Sequence, residues 1–164
     1  MTQKFYVNGN TGEYIGSWDG TEPEDLNAVE VPTIRPDVGF VWDFVLQDWF
    51  ESYESKLAKA TTILNALTRQ AGLQVTALTY KVNNLDWVIN GQDPDDPDYE
   101  PATPEEIAEL PVRRAQLNKW NTYTRNLGKV KAQPTWPDAP VWPVMPEPYT
   151  DETQSVAAPV EAQA

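Results

Sequence analysis

The alternation of apolar and polar positions divides the chain into stretches of different period. The first fifty residues read as β. Lys4-Phe5-Tyr6-Val7 and Glu13-Tyr14-Ile15-Gly16-Ser17-Trp18 flank Asn8-Gly9-Asn10-Thr11-Gly12. Aromatic and β-branched runs around an Asn/Gly loop predict a hairpin, because Asn and Gly tolerate positive φ. Asp19-Gly20 ends the second strand, and Val29 and Val31 mark a third, closed by Pro32 and Pro36. Phe40-Val41-Trp42-Asp43-Phe44 and Leu46-Gln47-Asp48-Trp49-Phe50 then predict a second hairpin. A β unit of this size buries little surface, so its aromatics must supply packing mass. Trp18, Trp42 and Trp49 are accordingly read as core, with a stacking platform for a ligand as the competing role.

From about Glu51 the period changes. Leu57, Ala60, Leu64, Leu67 and Ala71 recur at three- and four-residue steps, and Val75, Leu78, Val82, Leu85 and Ile89 continue the series. That spacing is one face of a long helix. The step from Ala71 to Val75 is four where three was due, a stutter in a heptad pattern, and Gly72 beside it could bend or break the helix. The stripe serves a helical hairpin within the chain or a coiled coil between chains equally well. Asn90-Gly91 stops it. An acidic, proline-broken loop follows over residues 91–102, Gln92-Asp93-Pro94-Asp95-Asp96-Pro97-Asp98-Tyr99-Glu100-Pro101. Its oxygens suit a hard cation, but its spacing departs from the twelve-residue calcium loop, and a solvated connector fits better.

Thr103-Pro104-Glu105-Glu106 has the makings of a helix start, with Thr103 as cap, Pro104 in the first turn and Glu106 closing a capping box. The helix is expected to break or kink at Pro111, resume through Leu117, Trp120, Tyr123 and Leu127, and end at Gly128. After Lys131 comes Pro134-Thr135-Trp136-Pro137-Asp138-Ala139-Pro140-Val141-Trp142-Pro143-Val144-Met145-Pro146. Its prolines fix φ and lack donors, so it is expected to run extended as a strap. Such a strap exposes Trp136, Trp142 and Met145 unless it lies in a groove, on its own helices or on a partner. From Tyr149 to Ala164 the residues are small, polar and acidic, and disorder is expected there. The packable part is therefore expected to end near Val130. The pattern predicts an α+β fold: a small antiparallel β domain over 1–50, a helical region over 51–131 with a long central helix and a C-terminal helix, and over 132–164 a Pro/Trp-rich strap with an acidic tail.

Composition narrows the chemistry. The 164 residues carry 25 acids against 12 bases, a net charge of −13. Binding to nucleic acid or to an anionic membrane needs the opposite balance. Six bases lie between Arg113 and Lys131, but eight acids precede them from Asp93 to Glu109, and a solvated face paired with those acids is the expectation. There is no Cys and no His. Their absence removes disulfides, thiolate metal sites, Cys nucleophiles and every His-based triad. Paired carboxylates such as Asp43, Asp48 and Glu51 near aromatics would permit glycoside hydrolysis, yet an acid-rich chain supplies such pairs by chance. No phosphate-cradling or dinucleotide glycine motif occurs. The reading is non-enzymatic, with no catalytic residue, metal or cofactor. No run has signal-peptide or membrane-span length, so the expected place is the cytoplasm of the cell that makes the protein.

Two groups of residues add a resemblance. Tyr6, Thr11-Gly12-Glu13-Tyr14-Ile15-Gly16, Trp18-Asp19-Gly20, Val31-Pro32, Trp42-Asp43 and Trp49 resemble the N-terminal part of phage tail-fibre assembly proteins. Lys119-Trp120, Tyr123, Leu127, Val130, Trp136-Pro137-Asp138 and Trp142-Pro143 resemble the same family's terminal helix and Trp-Pro segment. The resemblance covers about two thirds of the chain and implies a chaperone that binds the distal part of a trimeric tail fibre and assists its folding or trimerisation. It places the protein in the host cytoplasm during assembly, or retained on the virion tail. It implies that Trp120, Tyr123, Leu127, Trp136, Trp142 and Met145 hold the partner. A permanent fibre-tip or baseplate component and a carbohydrate-binding module are the alternatives, and self-association through the central helix stays open.

Overall fold

The computed structural model describes residues 3–20 and 23–150. The expected disordered tail lies outside the described residues from Asp151 onward. The fold is α+β, with small antiparallel sheets at the N-terminus followed by two long helices. By their contacts the described residues form two compact units: those up to 62 with 134–140, and 63–133 with 141–150.

In the first unit, β1 (Lys4–Asn8) is central, with β2 (Tyr14–Trp18) on one side and β3 (Ala28–Val31) on the other, both antiparallel. The β1–β2 turn forms where expected. Asn8 Oδ1 accepts the Asn10 and Thr11 amides, and Gly12 adopts φ 71°. Gly12 also meets β4 directly, its carbonyl accepting the Trp42 amide at 2.9 Å. β4 (Phe40–Asp43) pairs with β5 (Asp48–Glu51). This second hairpin differs from expectation at its tip: Phe44 to Gln47 form the turn, so Phe44, Leu46 and Gln47 lie outside the strands. The Asp43 carboxylate caps that turn by accepting the Val45 and Leu46 amides, a local bond that competes with strand pairing. The core is Val7, Val31, Trp42 and Trp49, with Phe5, Tyr14 and Phe40 packed around it. Trp42 and Trp49 meet edge to face at 5.4 Å, and the Trp49 indole donates to Thr33 Oγ1. Trp18 is half-buried against Tyr6. These indoles are packing mass, as their pattern suggested.

α1 (Tyr53–Asp86) is one helix of 34 residues, running without a break through Gly72. One glycine costs about 1 kcal/mol in a helix, and the buried stripe on both sides of Gly72 outweighs it. Ala60, Leu64, Ala71, Leu78, Val82 and Leu85 are buried, with Leu57, Leu67, Val75 and Ile89 half-buried. The stripe read from the sequence is thus the face that the chain itself covers. A π-helical turn, Trp87–Gly91, ends the helix, and Gln92 is extended.

The acidic loop holds itself by side-chain bonds. Asp93 and Asp96 each accept an amide two residues on. Gln92 grips Glu100 twice, its Nε2 donating to the Glu100 carbonyl and its Oε1 accepting the Glu100 amide. α2 (Pro104–Leu127) opens on the complete capping box, with Thr103 Oγ1 accepting from the Glu106 amide and Glu106 Oε2 from the Thr103 amide. The expected interruption at Pro111 does not occur; the helix runs on to Leu127. Pro111 is exposed, as is Ile107, whose carbonyl loses its partner and is left on the solvent side. Leu110 packs with Val82 and Leu85, joined by Ile89 and Leu117. Among the described residues, no helix is long and apolar enough to cross a membrane.

Beyond α2 the chain keeps packing past Val130. The strap begins with a turn rather than extended, Ala139 N–H donating to the Thr135 carbonyl at 2.8 Å, and the Trp136–Pro137 peptide is cis. From Pro140 to Thr150 it has no regular hydrogen bonding. Tyr149, expected at the start of the disordered tail, is 8 % exposed.

Candidate functional site

The six residues expected to hold a partner fall in two places. Trp136 lies in the first unit, in the turn that also brings Asp138 to Lys56 at 2.7 Å. Trp120, Tyr123, Leu127, Trp142 and Met145 lie in the second. There α2 presents Trp120, Tyr123 and Leu127 at three- and four-residue steps, and all three are enclosed. Trp120 and Tyr123 meet the strap. The Trp120 indole donates to the Glu147 carbonyl at 3.2 Å and meets Tyr123 edge to face at 5.5 Å. Burial raises the Tyr123 hydroxyl above its usual pKa.

Polar ties fix the strap's course. Gln133 clamps Val141, its Nε2 donating to the carbonyl and its Oε1 accepting the amide, both at 2.8 Å. Gln74 Oε1, from α1, accepts the Tyr149 amide at 2.7 Å. The Arg113 guanidinium lies 4.8 Å above the Tyr149 ring, a cation–π contact. Arg113 also pairs with Glu109, which in turn takes Lys81, while Arg114 reaches Asp86 of α1. The basic stretch is thus paired partly with α1 rather than only with the acids ahead of it. Burial pushes the Glu109 carboxyl up, but Arg113 and Lys81 outweigh it and hold the group below the usual range.

Held this way, the strap forms one wall of an open groove of about 550 Å³. Lys119, Thr122, Tyr123 and Asn126 of α2 form the other side, facing Pro143, Val144 and Met145. Val144 is 92 % exposed, whereas Trp142 and Met145 are half-buried. Apolar surface, amides and one ammonium line the groove, with no carboxylate among them, although the chain carries −13. Such a lining suits a polypeptide, whose side chains take the apolar floor and whose carbonyls take the amides. The sequence reading picked out Met145 and missed Val144 and the Asn126 rim; the Pro-Val-Met-Pro run was the only signal for them.

The other candidates are occupied differently. Asp43 and Asp48 face each other across the β4–β5 pair, and each carboxylate accepts a backbone amide. Glu51 is tied to Lys59 and Ser55, which lower its pKa. Among the described residues, no group of three or more acidic side chains is placed to hold a metal ion. Comparison with family models, curated proteins and solved structures finds no match for this chain.

Proposed function

We propose that this chain is a non-enzymatic assembly protein that binds a trimeric phage tail fibre near its distal end and assists folding or trimerisation. The observation that carries the reading is the strap beside α2: a Pro/Trp segment tied down at Gln133, Gln74 and Trp120 while Val144 is left 92 % exposed over an acid-free groove. A preorganised apolar anchor beside polar donors favours capture of another chain. The resemblance of the N-terminal and Trp-Pro residues to tail-fibre assembly proteins supplies the kind of partner. Fibres are intertwined β-rich trimers that fold slowly and expose strand edges, so a soluble acidic partner lowers the risk of aggregation. Assembly would occur in the host cytoplasm, with the protein either released or retained on the virion tail.

The test is co-expression with a candidate fibre. A fibre that is soluble and trimeric only with this chain supports the proposal, and one equally soluble alone removes it. Val144→Asp should abolish co-purification while leaving the far-ultraviolet circular dichroism unchanged, since the side chain is exposed.

A further inference from the structure

The buried stripe on α1 leaves a second stripe on the outward side of the same helix. Ile63, Ala66, Gln70, Leu73, Ala77, Tyr80 and Asn84 of α1, and Trp87 opening the π-helical turn, follow one another at alternating steps of three and four. Ile63 is 47 % exposed, Leu73 65 %, Tyr80 75 % and Trp87 59 %. The Trp87 indole lies over Gly91, where any side chain would displace it, so its outward position is built in. A regular heptad of uncharged positions, six of the eight apolar, is what a second helix reads. On an ordinary solvated helix these sites would be charged.

Charge sharpens the point. From Ile63 to Trp87 the helix carries three charged residues, Arg69, Lys81 and Asp86. Lys81 and Asp86 turn toward α2, paired with Glu109 and Arg114. The outward strip therefore carries no acid. Two molecules of charge −13 repel one another, and an acid-free face is where they can meet at least cost.

We propose that this strip joins two copies of the chain as an antiparallel helix pair centred on Val75. The order of side chains argues for a copy of itself over any other occupant. Reversed about Val75, the strip sets Leu73 against Ala77 of the second copy, Gln70 against Tyr80, Ala66 against Asn84 and Ile63 against Trp87. Each of these four layers puts a larger side chain against a smaller one, as interdigitated packing requires. A two-fold interface needs a surface that complements its own reverse, and this strip has that property. Gln70 and Asn84 would place amides in the seam, where polar groups fix register.

The full chain should sediment as a dimer at tens of micromolar, and more so as salt screens the repulsion between copies. A contact made by opposite charges would weaken with salt instead. Leu73→Glu with Tyr80→Glu should weaken the dimer on the order of 100-fold, two central anchors being lost, with helical content unchanged. Because the chain has no Cys, a mixture of the Gln70→Cys and Tyr80→Cys variants reports direction: mixed disulfides are expected. A monomer at every concentration and salt overturns the proposal, as does a dimer indifferent to the double substitution. Disulfides formed only between like variants overturn the antiparallel arrangement. If the double variant stays monomeric and also loses fibre capture, the strip belongs to the fibre instead.

Discussion

At the scale of single residues, the fold depends on close approaches that a hydropathy pattern does not record. Gly12 was legible as a turn glycine, but not as the point where the first hairpin meets β4. Its φ of 71° and the nearness of the Trp42 carbonyl leave no room for a β-carbon. Gly12→Ala should destabilise the β unit by about 2 kcal/mol or more, combining left-handed strain with the clash; urea unfolding followed by tryptophan fluorescence would measure it. Glutamine is the other residue whose work was hidden. Gln92 and Gln133 each grip the backbone eight residues ahead through both ends of the amide, and Gln74 takes the Tyr149 amide. No periodicity announces an amide that stands in for a strand partner, so the sequence left open whether the strap returns to its own helices or meets a partner. The candidate site was legible to a similar degree. Met145 and the Trp-Pro run were visible as apolar excess, whereas the groove depends on these bonds.

At the scale of elements, the strongest sequence signals were those with a mechanism behind them. The Thr103–Glu106 box forms as expected, and the stripe from Leu57 to Ile89 is the covered face of α1, because helical period and burial are the same constraint seen twice. Gly72 and Pro111 did not stop their helices: glycine costs about 1 kcal/mol and proline about 3, but both helices carry buried faces, and the carbonyl that Pro111 leaves without a partner lies on the exposed side. The pairing of α1 with α2 adds a pH dependence. Glu109 titrates below the usual carboxylate range because Arg113 and Lys81 hold its charged form against the cost of burial. A depressed folded-state pKa stabilises at pH above the unfolded value, about 4.3 for glutamate, and that contribution is lost as pH falls through the lower folded value. Glu109→Gln should cost about 0.5–1.5 kcal/mol near neutral pH and should flatten the acid limb of the stability profile. Thermal melts between pH 3 and 7 would show the difference.

At the scale of the whole molecule, the strap contributes to both units, and Trp120 is one of its supports in the second, beside Gln133 and Gln74. Trp120→Ala should cost about 3–5 kcal/mol, the usual range for emptying a buried tryptophan site. Trp120→Phe keeps most of the packing but loses the bond to Glu147 and should cost about 1–2 kcal/mol, with faster amide exchange confined to residues 141–150. If exchange were unchanged there, the indole bond would not be what holds the strap. The Gln133–Val141 clamp also bears on how the chain can be altered. Its two hydrogen bonds draw a noose around residues 134–140, so the backbone leaves and rejoins the second unit at a single gate. Lengthening a tethered loop is cheap, about 0.6 kcal/mol for each doubling. A probe or affinity peptide spliced between Asp138 and Ala139 would therefore ride on a closed ring, at the cost of the Thr135–Ala139 turn bond and with the Asp138–Lys56 pair loosened.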